Sequence, residues 1–193
     1  MHREIEAKFR VTDPEPIRGQ LAGLGAVLRG RVQEDNRLLD TPEGRLRRAG
    51  CGLRVRTWRV LAGGGGSGAT LTFKGPREST QFKARPEIET PVPDAAALLE
   101  IFGYMGFHEC VTYEKRRETW RLGPVLVVLD ELPRLGWYLE IEGPDEAAVA
   151  DARRQLGLAD TPLVVETYPH LAAEHGDRDA AGVARLAFVS GGR

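Results

Sequence analysis

Apolar and polar side chains alternate one for one along much of this chain. In the first stretch Ile5, Ala7, Phe9 and Val11 alternate with Glu4, Glu6, Lys8 and Arg10. Residues two apart on a strand point to the same face, so this pattern predicts a strand with one apolar and one charged side. Comparable patterns bounded by turn residues predict eight strands, at roughly 2–11, 31–39, 52–60, 69–75, 83–91, 111–121, 125–131 and 136–143. Three stretches carry helical spacing instead. One follows Asp13-Pro14 with Ile17, Leu21, Leu24 and Leu28 on one face. Another follows Pro93-Asp94 with Leu98, Leu99 and Phe102 and stops near Gly106, and the third runs from about Pro144 to Leu156 before Gly157. An extended piece after Thr161-Pro162 leads to a short helix near Tyr168–Glu174. The glycine run at 62–69 lies between two strand patterns and reads as a flexible hairpin loop.

Many strands joined mostly by short turns imply an α+β fold: an eight-stranded antiparallel β-barrel, closed or nearly closed, with helices packed outside. One domain is expected over 1–175, followed by a weakly structured tail at 176–193. Composition narrows the function classes. With 27 basic and 28 acidic residues in 193, no global basic field points to a nucleic acid or a membrane surface. The longest apolar run, Val125 to Leu129, is too short to span a bilayer, and Glu4 and Glu6 stand where a signal peptide would be apolar. Cys51 and Cys110 are isolated and the four histidines show no ligand spacing, which excludes a zinc-type site and suits a reducing cytoplasm.

The informative feature is where the charges fall. The polar faces carry Glu4, Glu6 and Lys8; Arg54 and Arg56; Lys74; Arg85, Glu87 and Glu89; Asp130; and Glu140 and Glu142. The sixth strand offers Lys115 and Arg117, or Arg116 if its register slips by one. A solvated face of weak cross-strand ion pairs is one reading. The helices, however, need an apolar surface to pack on, and the strands supply it opposite the charges. Curling the sheet under those helices turns the charged face into a lumen. Charges left unpaired in such a confined space cost several kcal/mol each, so a lumen of this kind calls for ligands. Carboxylates without His or Cys suit Mg²⁺ or Mn²⁺, and the facing arginines and lysines suit phosphate oxygens. A polyphosphate chelated to metal satisfies both sets.

Glu4-x-Glu6-x-Lys8, followed in order by Arg54-x-Arg56, Lys74, Arg85-x-Glu87-x-Glu89, Lys115 to Arg117, Asp130 and Glu140-x-Glu142, resembles the CYTH superfamily of triphosphate tunnel metalloenzymes over about residues 2–172. Leu71-Thr72-Phe73-Lys74-Gly75-Pro76 looks most like its class IV adenylate cyclase branch. The resemblance implies a tunnel in which Lys8, Arg54, Arg56, Lys74, Arg85 and a cation from Lys115, Arg116 and Arg117 hold phosphate. Glu140, Glu142 and Asp130 would bind a first metal. Glu4 and Glu6 would bind a second or orient the nucleophile, with Lys8 beside them and Glu87 or Glu89 assisting. Tyr168-Pro169-His170-Leu171 would correspond to the helix that caps one mouth. Water attacking the terminal phosphorus would hydrolyse tripolyphosphate, thiamine triphosphate or a nucleoside triphosphate. A ribose 3′-hydroxyl attacking the α-phosphorus of ATP would instead give cyclic AMP and pyrophosphate. A third reading is a binding module without turnover, whose sign would be loss of acidic ligands; here all of them are present. The small-molecule partner is thus a triphosphate, and a homodimer is compatible with the sequence.

Overall fold

The computed structural model describes residues 2–61, 65–76 and 83–189, apart from the side chains of 2–4 and 83–84. Among the described residues, ten strands form one sheet. Eight of them, β1 (His2–Val11), β2 (Val27–Asp40), β3 (Gly52–Val60), β4 (Ser67–Lys74), β5 (Lys83–Pro91), β6 (His108–Leu122), β7 (Val125–Leu132) and β8 (Gly136–Gly143), run in the order β2-β3-β4-β5-β1-β8-β7-β6. β6 pairs back onto β2 from Val27↔Arg121 to Asp40↔His108, which closes the ring. Every pairing around it is antiparallel. The expected eight-stranded barrel is the fold. Of the glycine run at 62–69, residues 62–64 lie outside the described residues, and its last three, Ser67 to Ala69, already belong to β4.

The apolar face points outward, under the helices. α1 (Glu15–Gly23) and α4 (Glu146–Gln155) place Ile17, Leu21, Val149 and Ala152 against Ile5, Ala7, Phe9, Val127, Leu129, Leu139 and Ile141. α3 (Ala95–Tyr104), capped by the Asp94 side chain accepting from the Ala97 N–H at 3.0 Å, covers Leu39, Leu53, Val55 and Leu71 on the opposite wall. Burial of this kind stabilises by roughly 25 cal/mol per Å², so the helices fix which face becomes the lumen.

A third apolar cluster lies at one end of the barrel. α5 (Tyr168–His175) inserts Tyr168 and Leu171 among the inward-facing Tyr113, Leu132 and Tyr138. Its cap is the Thr167 hydroxyl, which accepts from the His170 N–H at 3.3 Å. The extended piece before α5 adds to β1 where β5 has ended, with the Val164 N–H donating to the Lys8 carbonyl at 2.8 Å.

Three features differ from expectation. Leu28, placed by its spacing on the first helix, stands in β2, because α1 ends at Gly23 and the chain turns at Gly25 with φ 74°. A short α2 (Arg45–Arg48) follows β2, nucleated by Asp40, whose carboxylate accepts from the Leu46 and Arg47 N–H groups at 2.9 and 3.0 Å. The segment after 176, expected to be weakly structured, forms β9 (Asp177–Arg178) and β10 (Ala184–Leu186). β10 pairs in parallel with β6, and Leu186 is fully buried. A Cβ at Gly176 would sit 2.5 Å from the Ala172 carbonyl oxygen and 2.9 Å from the Arg185 backbone, so glycine lets α5 and β10 run this close.

Candidate active site

The inward faces pair opposite charges across neighbouring strands. Lys8 stands opposite Glu140, Arg117 opposite Asp130, Glu34 opposite Lys115, and Lys74 opposite Glu87. Each pair makes contact: Lys8 Nζ to Glu140 Oε1 at 3.2 Å, Arg117 Nη2 to Asp130 Oδ2 at 2.6 Å, Lys115 Nζ to Glu34 Oε2 at 3.5 Å, and Lys74 Nζ to Glu87 Oε2 at 2.7 Å. Arg56 donates to Glu89 at 3.0 Å and to the Thr70 hydroxyl at 3.2 Å, and Arg54 donates to the Thr72 hydroxyl at 3.2 Å. The tunnel wall is therefore a lattice of alternating sign and not a uniformly positive trough.

One place breaks the rule. Glu6 on β1 stands directly opposite Glu142 on β8, and Glu140 projects beside them. One carboxylate oxygen from each of the three lies within 4.8 Å of the others. Like charges facing each other across a sheet are destabilising. A hard divalent cation coordinated by oxygen alone removes that repulsion, and three converging carboxylates are the donor set it prefers. Arg117 spans the boundary, with Nη2 2.8 Å from Glu140 and Nη1 3.8 Å from Glu142.

Deeper in the bore the carboxylates are held by Lys115, Arg117 and Arg56. Asp130 is fully buried, bound by Lys115 Nζ at 3.1 Å and by Arg117 Nε at 2.8 Å. Burial alone would raise its pKa, but Arg117 and Lys115 hold it well below the usual carboxylate range. Glu34 is 3 % exposed; burial again opposes ionisation, yet Lys115, Arg117 and Arg56 bring its pKa down to about 2. For Lys8, burial lowers the pKa, but Glu140, Glu6 and Asp130 outweigh it and keep the ammonium charged. The Tyr168 ring closes this end, 3.7 Å from Lys8 Nζ and 5.0 Å from Lys115 Nζ. Burial beside Asp130 and Glu140 raises the Tyr168 pKa, keeping the phenol neutral.

These shifts set an acid dependence. Folding lowers the Glu34 pKa from 4.5 to about 2, so its stabilisation is complete above the higher value and is lost as pH falls through the lower one. Asp130 shifts in the same direction. Thermal midpoints measured from neutral pH down to about pH 2 should fall steeply below about pH 4.5 in the wild type, and less steeply in Glu34→Gln.

The structure brings together Glu6, Lys8, Arg54, Arg56, Lys74, Glu87, Glu89, Lys115, Arg117, Asp130, Glu140 and Glu142. Arg85 stands on β5 opposite Glu4, whose side chain lies outside the described residues. Arg116 points the other way, 46 % exposed, against Glu131 at 3.1 Å and over the Phe188 ring. Lys115 and Arg117 are therefore the lumen-facing pair of β6. Asp130, expected to share a metal with Glu140 and Glu142, is gathered with cations, and Glu6 stands beside those two glutamates instead. Glu34 was missed. It sits in Gln33-Glu34-Asp35-Asn36-Arg37, a run polar on both faces that gives no phase; only its position opposite Lys115 reveals it.

A closed antiparallel barrel with a bore of alternating carboxylates and cations, capped at one end by a helix, defines a charged β-tunnel protein. The model of the CYTH domain family matches residues 2–168, and the chain belongs to that family. It is 30 % identical over 176 residues to adenylate cyclase CyaB of Aeromonas hydrophila, covering 86 % of each chain. A solved Pyrococcus horikoshii structure superposes with a TM-score of 0.72 at 27 % identity, over 87 % of this chain and 98 % of that one. A Hippeastrum structure, described as a putative adenylyl cyclase with a dominant triphosphatase activity, shares the fold at a TM-score of 0.61 and 15 % identity, over 87 % and 93 %.

Proposed function

We propose that this protein is a divalent-metal-dependent cytoplasmic enzyme that binds a triphosphate along its tunnel and hydrolyses it to a diphosphate and phosphate. The observation that carries this reading is the Glu6–Glu140–Glu142 cluster set directly beside Lys8 and Arg117. It supplies anionic oxygens for a cation such as Mg²⁺ or Mn²⁺ next to cations for phosphate. A cation bound there supplies a template and a Lewis acid for phosphoryl oxygens. Phosphoryl transfer needs in-line positioning and charge neutralisation and little covalent chemistry. Lys8 and Arg117 would meet phosphate oxygens next to the cluster, with Lys115 deeper in the bore. Arg54, Arg56 and Lys74 would hold them from the facing wall. Arg54 and Arg56 are steadied by neutral threonine hydroxyls, Thr72 and Thr70, as well as by Glu89; Arg56 also lies 3.5 Å from the buried Glu34, which keeps Lys115 when Arg56 turns toward phosphate.

Cyclisation of ATP is the second reading, favoured by the identity to a protein named adenylate cyclase. Both reactions use the same lining, and what differs is the nucleophile. Water requires no base recognition, whereas cyclisation requires the ribose folded against the α-phosphorus. Incubation with tripolyphosphate, thiamine triphosphate and ATP, each with Mg²⁺ or Mn²⁺, decides. Phosphate from tripolyphosphate without cyclic AMP from ATP supports hydrolysis; cyclic AMP and pyrophosphate with tripolyphosphate intact supports the cyclase.

Arg54→Ala and Arg56→Ala should each weaken tripolyphosphate binding by about 1.5–3 kcal/mol, the worth of a charge-assisted contact. Titration calorimetry measures this, with diphosphate suffering less if the two arginines grip different phosphates. Unchanged affinity in both variants would remove the β3 side chains from the binding surface.

A further inference from the structure

We infer that Glu34 is a positioning residue, a resident counter-anion that balances Arg56, Lys115 and Arg117 and weakens their grip on phosphate so that product can leave. The inference rests on the triphosphate reading above and adds a residue to it. Glu34 is buried, and its partners come from three strands. Oε1 lies 3.5 Å from Arg56 Nη1 and 3.9 Å from Arg117 Nε; Oε2 lies 3.5 Å from Lys115 Nζ and accepts from Asn36 Nδ2 at 3.3 Å. No backbone N–H is among the hydrogen-bond donors found for it among the described residues.

Two buried carboxylates share Lys115 and Arg117, and they hold them differently. Asp130 binds both at 2.6–3.1 Å, with two nitrogens of the guanidinium engaged. That geometry fixes the side chains. Glu34 touches the same two cations and Arg56 only at 3.5–3.9 Å, beyond good hydrogen-bond length. Contacts of this kind supply charge balance with little directional bonding. A cation can therefore turn from Glu34 to a phosphate oxygen without giving up a strong hydrogen bond, while Asp130 keeps hold of its other side. The low pKa of Glu34 keeps it anionic at neutral pH, so its charge opposes that of any bound phosphate chain. Coulomb repulsion from a buried charge is weakly screened, and it would act on the diphosphate product as well as on the substrate.

The test is Glu34→Gln in the full-length chain, which keeps the side-chain volume and removes the charge. Titration calorimetry with inorganic tripolyphosphate and with pyrophosphate, in EDTA, should show both bound at least about tenfold more tightly than by wild type. With metal present, KM and kcat for tripolyphosphate should fall together as product is retained. Should Glu34→Gln not fold alone, its thermal midpoint with saturating tripolyphosphate is compared with wild type; rescue of folding by the anion supports the proposal. Failure of the anion to rescue overturns it, as does equal or weaker binding in a folded variant. Wild type binding tripolyphosphate normally while Glu34→Gln binds equally or less sinks this inference alone. Wild type that binds no tripolyphosphate with or without metal sinks the triphosphate reading and this inference with it.

Discussion

Glu142→Gln should abolish metal-dependent turnover of tripolyphosphate while the protein remains folded. Glu142 is 23 % exposed, and Arg117 Nη1 lies 3.8 Å from its carboxylate. Losing one of three converging carboxylates removes a ligand where like charges would otherwise repel, so a cation loses its reason to bind. The expected loss is on the order of 10²–10³ in rate, since metal stabilisation of transferring charge is worth several kcal/mol. Glu140→Gln should lose activity equally but also lose stability. Its carboxylate is only 5 % exposed and carries both Lys8 at 3.2 Å and Arg117 at 2.8 Å. Phosphate release assays and thermal melts on both variants separate these outcomes. Wild-type turnover persisting in excess EDTA would defeat the metal assignment.

Asp130→Asn should be the most destabilising single change in the tunnel. Asp130 is inaccessible to solvent and neutralises Lys115, itself buried, and Arg117, whose side chain is only 14 % exposed. Removing one partner of a buried pair leaves uncompensated charge at a cost of about 3–5 kcal/mol, which corresponds to roughly 6–20 °C in thermal midpoint for a chain of this size. Arg116→Ala on the same strand is the control. Its guanidinium is largely in water, where an ion pair with Glu131 contributes about 1 kcal/mol or less. Equal midpoints for the two variants would mean that the lumen pairs are solvated.

Much of the architecture was legible because it is local. Alternation in Glu4–Val11 and Gly136–Gly143 fixed both strands and the face that carries charge, since a pleated strand allows only two faces. Asp94 and Gly157 marked helix ends by capping chemistry that acts within a few residues. β6 was ambiguous because both its faces are charged. Glu114, Arg116 and Glu118 on the outer face are occupied by the Phe188 backbone N–H, Glu131 and Arg18. No periodicity of polarity can choose a phase when the polar residues are consumed on either side. β9 and β10 escaped notice for a related reason. A two- or three-residue strand carries no period, and it exists because β6 offers a free edge below Arg116, where β7 has ended.

The sequence by itself determined that the chain makes eight amphipathic strands, that helices cover the apolar side, and that acids and bases gather on the other. It did so because side-chain alternation and helix spacing are written residue by residue. Which acid serves which base was decided only by the closed barrel. Closing β6 onto β2 set Glu34 opposite Lys115, and the β1–β8 register set Glu6 against Glu142 while giving Glu140 to Lys8. A shift of one residue in either register would have turned those side chains to the opposite face. Cross-strand partners lie far apart in sequence, and their identity depends on barrel closure, a property of the whole sheet that no single segment encodes.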